Sequence, residues 1–180
     1  GDGGTVVFQS FATNLVADED GAGIYVHDLN TGQTSRVSTT GNQLSVTSDG
    51  RYVAFVSNAS DLVPDDSNAK ADAFVYDRQT TETRMVSVSS HGDQGTFAAE
   101  GASISGDGRF VAFITLSSLA LHDVLVGPRM ARDLFVHDLQ TSRTFMASIG
   151  ADGQPRGAAG VDTDGAASIS AGGRFVAGHG

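Results

Sequence analysis

One phrase of seven residues recurs along the chain and constrains its fold more than any other feature. It reads Asp49-Gly50-Arg51-Tyr52-Val53-Ala54-Phe55 and returns as Asp107-Gly108-Arg109-Phe110-Val111-Ala112-Phe113. Gly172-Gly173-Arg174-Phe175-Val176-Ala177-Gly178 is a further copy, and Asp2-Gly3-Gly4-Thr5-Val6-Val7-Phe8 is a weaker one. The copies begin 47, 58 and 65 residues apart. A turn and a strand that recur at such intervals indicate a repeat architecture.

Short apolar runs surround each copy, and they predict strands rather than helices. The runs are rich in β-branched and aromatic residues and are bounded by Gly, Asn, Asp or Ser, which is the pattern of short strands between turns. A complete unit contains four predicted strands, at about 44–47, 52–57, 73–77 and 83–88. Asp49-Gly50 suits the first hairpin because a two-residue turn needs positive φ, which Gly and Asp tolerate.

These units predict an all-β protein built from β-propeller blades, each a four-stranded antiparallel meander. The strands are apolar on both faces, as expected when each blade is buried between two neighbours. We expect a partial blade 1 at about 2–40, blade 2 at about 43–89, blade 3 at about 101–149 and a partial blade 4 at about 166–178. A β-sandwich also has short regular strands, but it does not repeat its side chains so literally.

About three blades and a partial one make an incomplete ring, because propellers usually close with about four to eight. Three explanations stay open: a longer chain supplies the missing blades, a homo-oligomer closes the ring, or unrelated chains cover the open edges. The longer chain is the interpretation we favour, since unpaired strand edges invite aggregation.

Loop lengths differ between the two faces of such a ring. Turns between the first and second strands, and between the third and fourth, are short. The other connections are long, at about 58–72, 89–101, 116–133 and 150–165. Because all the long loops belong to one face, the sequence predicts that this long-loop face is the binding surface.

One long loop contains a calcium-like pattern. Asp66, Asn68 and Asp72 place oxygen donors at first, third and seventh positions, with Asp61 and Asp65 nearby, and this spacing resembles that of calcium loops. The alternative is that Asp66 and Asn68 form Asx turns and Asp72 fixes the next strand. The corresponding loops of the other units contain Asp18-Glu19-Asp20-Gly21 in the first, and His122-Asp123 and Asp133 in the third.

Repeated polar positions predict structural contacts. His27 and His137 precede Asp28 and Asp138, and Tyr76 stands at the matching place, so we interpret this position as packing or hydrogen bonding. His91, His122 and His179 lack a zinc-binding spacing. We expect the repeated arginines to pair between blades with carboxylates or carbonyls, most obviously with the repeated acids; these residues are Arg51, Arg109 and Arg174, and Asp28, Asp77 and Asp138.

Composition and the absence of certain motifs limit the classes of partner and of activity that we expect. The net charge is −10 and the chain has no cysteine. Its basic residues are scattered and form no phosphate-binding stripe, so we expect no nucleic-acid partner. No apolar stretch reaches the roughly 20 residues of a membrane span. The sequence also contains no Gly-x-Ser-x-Gly elbow and no phosphate-binding loop with Lys, so no catalytic or cofactor-binding residue is assigned.

Three segments resemble the TolB-type, WD-repeat-like propeller repeats of bacteria. They are Ser48-Asp49-Gly50-Arg51-Tyr52-Val53-Ala54-Phe55, Leu62-Val63-Pro64-Asp65-Asp66-Ser67-Asn68 and Asp72-Ala73-Phe74-Val75-Tyr76-Asp77. The resemblance covers nearly the whole chain and implies a propeller. Members of this group include periplasmic scaffold proteins, secreted binding proteins and propeller domains attached to hydrolases, so it also implies a periplasmic or secreted location.

The sequence therefore predicts a non-enzymatic binding or scaffold module that acts through its long-loop face, in protein–protein or surface-glycan interaction. Calcium is the one cofactor that the residues suggest. Two alternatives remain: a substrate-gating propeller domain of an extracytoplasmic hydrolase or lyase, and a structural subunit of a larger complex.

Overall fold

The computed structural model describes residues 3–17, 21–116, 119, 132–154 and 165–179. These residues form thirteen β-strands and no helix, and hence no helix that could cross a membrane. The strands are β1 (Thr5–Ser10), β2 (Gly23–Asp28), β3 (Thr34–Ser38), β4 (Asn42–Val46), β5 (Tyr52–Ser57), β6 (Asp72–Asp77), β7 (Glu82–Met85), β8 (Ala99–Ile104), β9 (Phe110–Thr115), β10 (Asp133–Asp138), β11 (Arg143–Met146), β12 (Ala166–Ile169) and β13 (Val176–His179).

The strands form four antiparallel sheets, which we number blade 1 to blade 4 in chain order. Their strand orders are β1-β2-β3, β4-β5-β6-β7, β8-β9-β10-β11 and β12-β13. Consecutive blades pack face to face, and the ring is not closed. The predicted all-β, incomplete propeller is therefore confirmed, while the outer limits of each blade, at about 2–40, 43–89, 101–149 and 166–178, stay a prediction.

Apolar cores fill the spaces between blades 1 and 2 and between blades 2 and 3. Val53 and Phe55 face blade 1 and pack with Ile24 and Val26, whereas Ala54 and its neighbours face blade 3. All five side chains are at most 1% exposed. Burial of a Val or Phe side chain stabilises a fold by about 1.5–3 kcal/mol. Burial on both faces explains why the strands read as continuous apolar runs.

The recurring phrase forms a turn that its own aspartate caps. Thr47 Oγ1 donates a hydrogen bond to Asp49 Oδ1 at 2.6 Å, and Arg51 N donates to the same oxygen at 3.0 Å. Tyr52 N in turn donates to Thr47 Oγ1 at 3.0 Å. Ser105, Asp107, Arg109 and Phe110 make the same bonds in blade 3. The repetition in sequence is thus a repetition of one hydrogen-bonded turn.

Glycine in this turn allows the preceding blade to approach closely. Gly108 has φ +74°, and a Cβ there would lie 2.8 Å from Cδ2 of Tyr52 on the preceding blade. Gly173 has φ +67°, and a Cβ there would overlap the ring of Phe110. A side chain at either position would therefore be strained by the backbone and would also displace the neighbouring ring. We call this repeated packing the ring–glycine contact.

Two of the three repeated arginines, Arg51 and Arg109, pair with the predicted acids, but within a blade and not between blades; among the described residues Arg174 shows no such pair. Arg51 Nη2 donates to Asp77 Oδ2 at 2.7 Å, and Arg109 Nη2 donates to Asp138 Oδ2 at 2.9 Å. The predicted location was wrong because Tyr52 is the cross-strand partner of Asp77, which places Arg51 beside the end of the neighbouring strand.

Blade 1 pairs differently, because Gly4 stands where the other copies have arginine. Its acid, Asp28, lies 3.6 Å from Nη2 of Arg78 on blade 2. Nη1 of Arg78 donates to the carbonyl oxygen of Gly50 at 2.8 Å. An arginine of the second blade thus replaces the missing one and joins the two blades.

We predict that Asp77→Asn lowers stability at neutral pH and reduces its loss in acid. The Arg51 hydrogen bond is the main cause that lowers the pKa of Asp77 to about 2. A carboxyl with a depressed folded-state pKa stabilises the fold above its unfolded value, and that stability is lost as pH falls from about 4 to about 2. Asparagine keeps the acceptor for Gln79 N, so the expected loss is about 1 kcal/mol.

Urea denaturation of the two proteins between pH 7 and pH 2 measures this effect. The stability difference is expected to be present at pH 7 and to vanish near pH 2. An equal difference at both ends of the range would contradict the assigned role of the ion pair.

Candidate functional site

Two long loops of blade 2 are joined by polar side chains on the long-loop face. Gln94, in the loop after β7, donates through Nε2 to Asp66 Oδ1 at 2.8 Å and to Asp72 Oδ2 at 3.0 Å. Its Oε1 accepts from the backbone N of Ser67 at 3.0 Å. Asn68 Nδ2 donates to the carbonyl oxygen of Gly95 at 2.9 Å. We call this group, Asp66, Ser67, Asn68, Asp72 and Gln94, the latch.

Asp72 is the buried centre of the latch. The residue is 0% exposed. Three side chains donate hydrogen bonds to its carboxylate: Ser87 Oγ donates to Oδ1 at 2.6 Å, and Asn68 Nδ2 and Gln94 Nε2 each donate to Oδ2 at 3.0 Å. Burial raises the pKa of Asp72, and the hydrogen bonds with Ser87, Asn68 and Gln94 oppose that rise. The carboxylate therefore anchors both loops to the sheet.

The structure brings Asp66, Asn68 and Asp72 together, as the calcium pattern predicted, but amide donors occupy most of the oxygens. Asn68 Oδ1 accepts from Lys70 N at 2.6 Å. Asp66 Oδ2 is buried and has no partner within the described residues. Calcium takes about six to eight oxygens at about 2.3–2.6 Å, and the described residues contain no cluster of three metal-binding side chains. The latch as arranged does not fit calcium.

Calcium binding by Asp66, Asn68 and Asp72 stays a prediction. It requires the side-chain amides of Asn68 and Gln94 to rotate so that their oxygens face Asp66. Asp61 and Asp65 are exposed. The other acidic loop segments, Asp18-Glu19-Asp20 and His122-Asp123, lie outside the described residues.

A small cleft of about 220 Å³ opens beside the latch on the same face. Ile114 and Leu116 contribute its apolar wall, and Phe97, which is 39% exposed, lies at its edge. The remaining lining residues are Lys70, Ala98, Glu100, Thr115 and Arg132. Because blade 2, the inter-blade segment and blade 3 each contribute, the cleft lies between two blades.

Lys70 is the positive group at this cleft. It is the single lysine of the sequence, and within the described residues its ammonium forms no ion pair. The preceding residue, Ala69, has φ +54°, a conformation that costs a non-glycine residue about 1–2 kcal/mol. Asn68 Oδ1 accepts from Lys70 N, so the latch holds this strained backbone from both sides of Ala69. By contrast, the guanidinium of Arg132 is already paired with Glu100.

Gln43 strengthens the long-loop face near the centre of the ring. Its Oε1 accepts from Gly101 N at 2.6 Å, and its Nε2 donates to the carbonyl oxygen of Gly165 at 3.3 Å. One side chain of blade 2 thereby joins the starts of blades 3 and 4.

A larger groove of about 340 Å³ opens on the opposite, short-turn face between blades 2 and 3. Its charged groups are already engaged: Arg51 pairs with Asp77, and Arg84 lies 3.4 Å from Glu82. The carboxylate of Asp107 accepts from Ser105 Oγ. Because these charged groups form ion pairs and hydrogen bonds with one another, the groove presents fewer unpaired charges to a ligand than the cleft at Lys70.

The repeated histidines have structural partners. His27 Nδ1 lies 2.9 Å from Thr34 Oγ1, and His137 Nδ1 lies 2.8 Å from Thr144 Oγ1. The predicted hydrogen-bonding position is confirmed. His137 is buried, and burial lowers its pKa. The side chain of His179, like His122, lies outside the described part of the chain.

Sequence reasoning missed the residues of the cleft. Phe97, Glu100 and Arg132 belong to no motif, because their proximity depends on how blades 2 and 3 pack. Only Lys70 carried a signal, as the single lysine among ten arginines.

Comparisons with solved structures agree on the fold. TolB from Acinetobacter baumannii superposes with a TM-score of 0.55 at 18% identity, covering 98% of this chain and 35% of that one. The tricorn protease gives a TM-score of 0.53 at 13% identity, covering 98% and 14%. The β-propeller domain of the Trilobed protease from Pyrococcus furiosus gives 0.50 at 11%, covering 79% and 38%.

These similarities show that the chain has a TolB-like propeller fold. The chain spans well under half the length of each of these three proteins. No protein-family model matches the sequence, and no curated protein matches it significantly.

We predict that Gln94→Ala opens the latch. The change removes one donor from each of two carboxylates, and a hydrogen bond to a charged group contributes about 1.5–3 kcal/mol. A lysine-specific protease can cut only after Lys70, so the cleavage rate measures opening of this loop. The rate is expected to rise at least about tenfold. Gln33→Ala, at an exposed turn, is the control, and equal rates in both variants would refute the latch.

Calcium binding is tested by thermal melting in calcium and in chelator. Calcium at about 100 times its Kd would stabilise the fold by about 2.7 kcal/mol, and Asp66→Asn is expected to remove that gain. An unchanged midpoint for the wild-type protein would eliminate calcium from the latch.

Proposed function

We propose that this chain is part of a non-enzymatic propeller that binds a polypeptide through its long-loop face. The observation that carries the proposal is the cleft beside the latch, where an apolar wall meets the ammonium of Lys70, which has no counter-ion among the described residues. Such a combination of apolar surface and a few placed polar groups is typical of binding sites.

The size of the cleft favours one anchoring side chain. Its volume of about 220 Å³ is below the roughly 300–1,000 Å³ of sites that enclose a whole small ligand. An aliphatic or aromatic side chain inserted against Ile114 and Leu116 would gain about 25 cal/mol per Å² of apolar area buried. The rest of the ligand would lie across the loops.

The charge of the site favours a carboxylate next to that anchor. The protein as a whole carries −10, but repulsion from distant charges is screened beyond about 8–10 Å. Close to the cleft, Lys70 can therefore attract an Asp or Glu of the bound segment. Arg132 is held by Glu100 and supports the wall of the cleft.

The similarity to TolB supports a location in the periplasm or outside the cell. In that setting the module would act as a scaffold or adaptor, with the rest of the ring supplied by further blades or by another chain. A surface glycan is the second ligand class that the exposed Phe97 could contact.

A second candidate function is a substrate-gating propeller domain attached to a hydrolase. The fold shared with the tricorn protease favours it. A gating role places no requirement on Lys70, so the two functions separate in experiments on this residue.

The test is selection of peptides from a random phage-displayed library on the immobilised protein, beside a glycan array. Enriched peptides are expected to contain an apolar residue next to Asp or Glu. Phe97→Ala and Lys70→Glu are each expected to weaken their binding at least about tenfold, or 1.4 kcal/mol. Phe145→Ala, at an outer strand where Phe145 is 46% exposed, is the matched control.

Peptides that bind Phe97→Ala and wild type equally would refute the cleft as the site. Enrichment of glycans alone would refute the polypeptide ligand. Selection of nothing from either library would contradict the binding function and favour the gating domain.

A further inference from the structure

A cleft of about 330 Å³ lies between the outer strands of blades 2 and 3, and two histidines line it. His137 belongs to β10 of blade 3, and His91 belongs to the loop that follows β7 of blade 2. We call this space the histidine cleft. It shares no lining residue with the cleft beside the latch, so the proposed binding function uses neither histidine.

The hydrogen bonds of Thr144 determine which ring nitrogen of His137 carries the proton. Thr144 Oγ1 donates to the carbonyl oxygen of Val88 at 2.5 Å, and a carbonyl oxygen can only accept. Nδ1 of His137 lies 2.8 Å from the same hydroxyl oxygen and must therefore be the donor of that bond. Burial lowers the pKa of His137, so its ring is neutral at pH 7 and Nε2 keeps a free lone pair.

Nε2 of His137 is accessible from the histidine cleft. Among the described residues, one buried side-chain polar atom lacks a hydrogen-bond partner, and that atom belongs to Asp66. Nε2 accepts no hydrogen bond from a described residue, since the bond of this ring is made by Nδ1. It is therefore not enclosed, and it reaches the open space that its ring lines, which is this cleft.

A clamp between the two blades brings His91 to the same place. Ser90 Oγ accepts from Thr144 N at 2.9 Å and donates to Thr144 O at 3.0 Å. Thr144 is also the cross-strand partner of His137, so the residue next to His91 in sequence is bonded to the strand that holds His137. The loop is constrained as well, because His91 N donates to Ser89 Oγ at 3.1 Å.

We propose that a divalent transition-metal ion of the class of Zn²⁺ and Cu²⁺ binds in the histidine cleft, held by Nε2 of His137 and a ring nitrogen of His91. Imidazole nitrogen is a ligand that these ions prefer. A ligating histidine typically donates its other ring N–H to a fixed acceptor, as His137 does to Thr144. The described residues bring no third His, Asp or Glu to the pair, so water would fill the remaining positions. The ion would join a loop of blade 2 to blade 3.

Calorimetric titration of the untagged protein with Zn²⁺ at pH 7 tests this proposal. One ion is expected to bind per chain, and His137→Gln and His91→Ala are each expected to weaken its binding at least about tenfold. Thr144→Val removes the hydroxyl that orients His137 and is expected to weaken binding by about 10–100-fold. His27→Gln and Thr34→Val remove the equivalent pair from blade 1 and are the matched controls. Circular dichroism checks that each variant is folded.

Cu²⁺ locates the ion without any substitution. A paramagnetic ion broadens the NMR signals of the imidazoles that it binds, so the signals of His91 and His137 are expected to disappear first while that of His27 persists. Broadening of His91 alone would overturn the proposal, since an exposed side chain would then hold the ion by itself. Absence of Zn²⁺ binding to the wild-type protein would also overturn it. If His137→Gln does not fold, unchanged binding in His91→Ala, a substitution at an exposed residue, decides against the site.

Discussion

The packing of each sheet between two neighbours is the constraint on which the rest of this structure depends. A sheet that is apolar on both faces cannot be exposed to water on either, so every blade needs a blade on each side. The ring–glycine contact sets the spacing: Gly108 and Gly173 have no Cβ, and the rings of the preceding blade occupy that space. Because the contact recurs at successive interfaces, the same few residues fix the geometry of each.

Two-sided packing also determines where polar chemistry can lie. With both sheet faces buried, unpaired polar groups concentrate at the two ends of the strands. At the short-turn end, tight turns and ion pairs such as Arg51–Asp77 satisfy nearly every charge locally. At the long-loop end, the latch uses Asp72 and Gln94 to restrict two loops, and the strained Ala69 leaves Lys70 without a counter-ion in the described structure. The difference between the two ends is the physical basis for assigning the binding role to one of them.

The fold could be predicted from the sequence because the repeat is local. The site could not be predicted, since it depends on packing between blades. Asp49, Gly50 and Arg51 are adjacent in sequence, and their turn forms within one hairpin. The pairing of Arg51 with Asp77 was also expected, but its location within one blade follows from strand register, which loop lengths alone do not specify. The sequence grouped Asp66, Asn68 and Asp72 together. However, the side-chain amide that bonds to both carboxylates comes from Gln94, which lies in a different loop.

The site and the closing of the ring are separable properties. The cleft needs Lys70 from blade 2, Phe97 from the segment between blades, and Ile114 and Arg132 from blade 3. These two blades are the ones that the chain contains complete, with both inner and outer strands. Binding at the cleft can therefore occur whether or not the outer faces of blades 1 and 4 are covered. Further blades would surround a site that is already formed, and would change how the loops of other blades approach the bound segment.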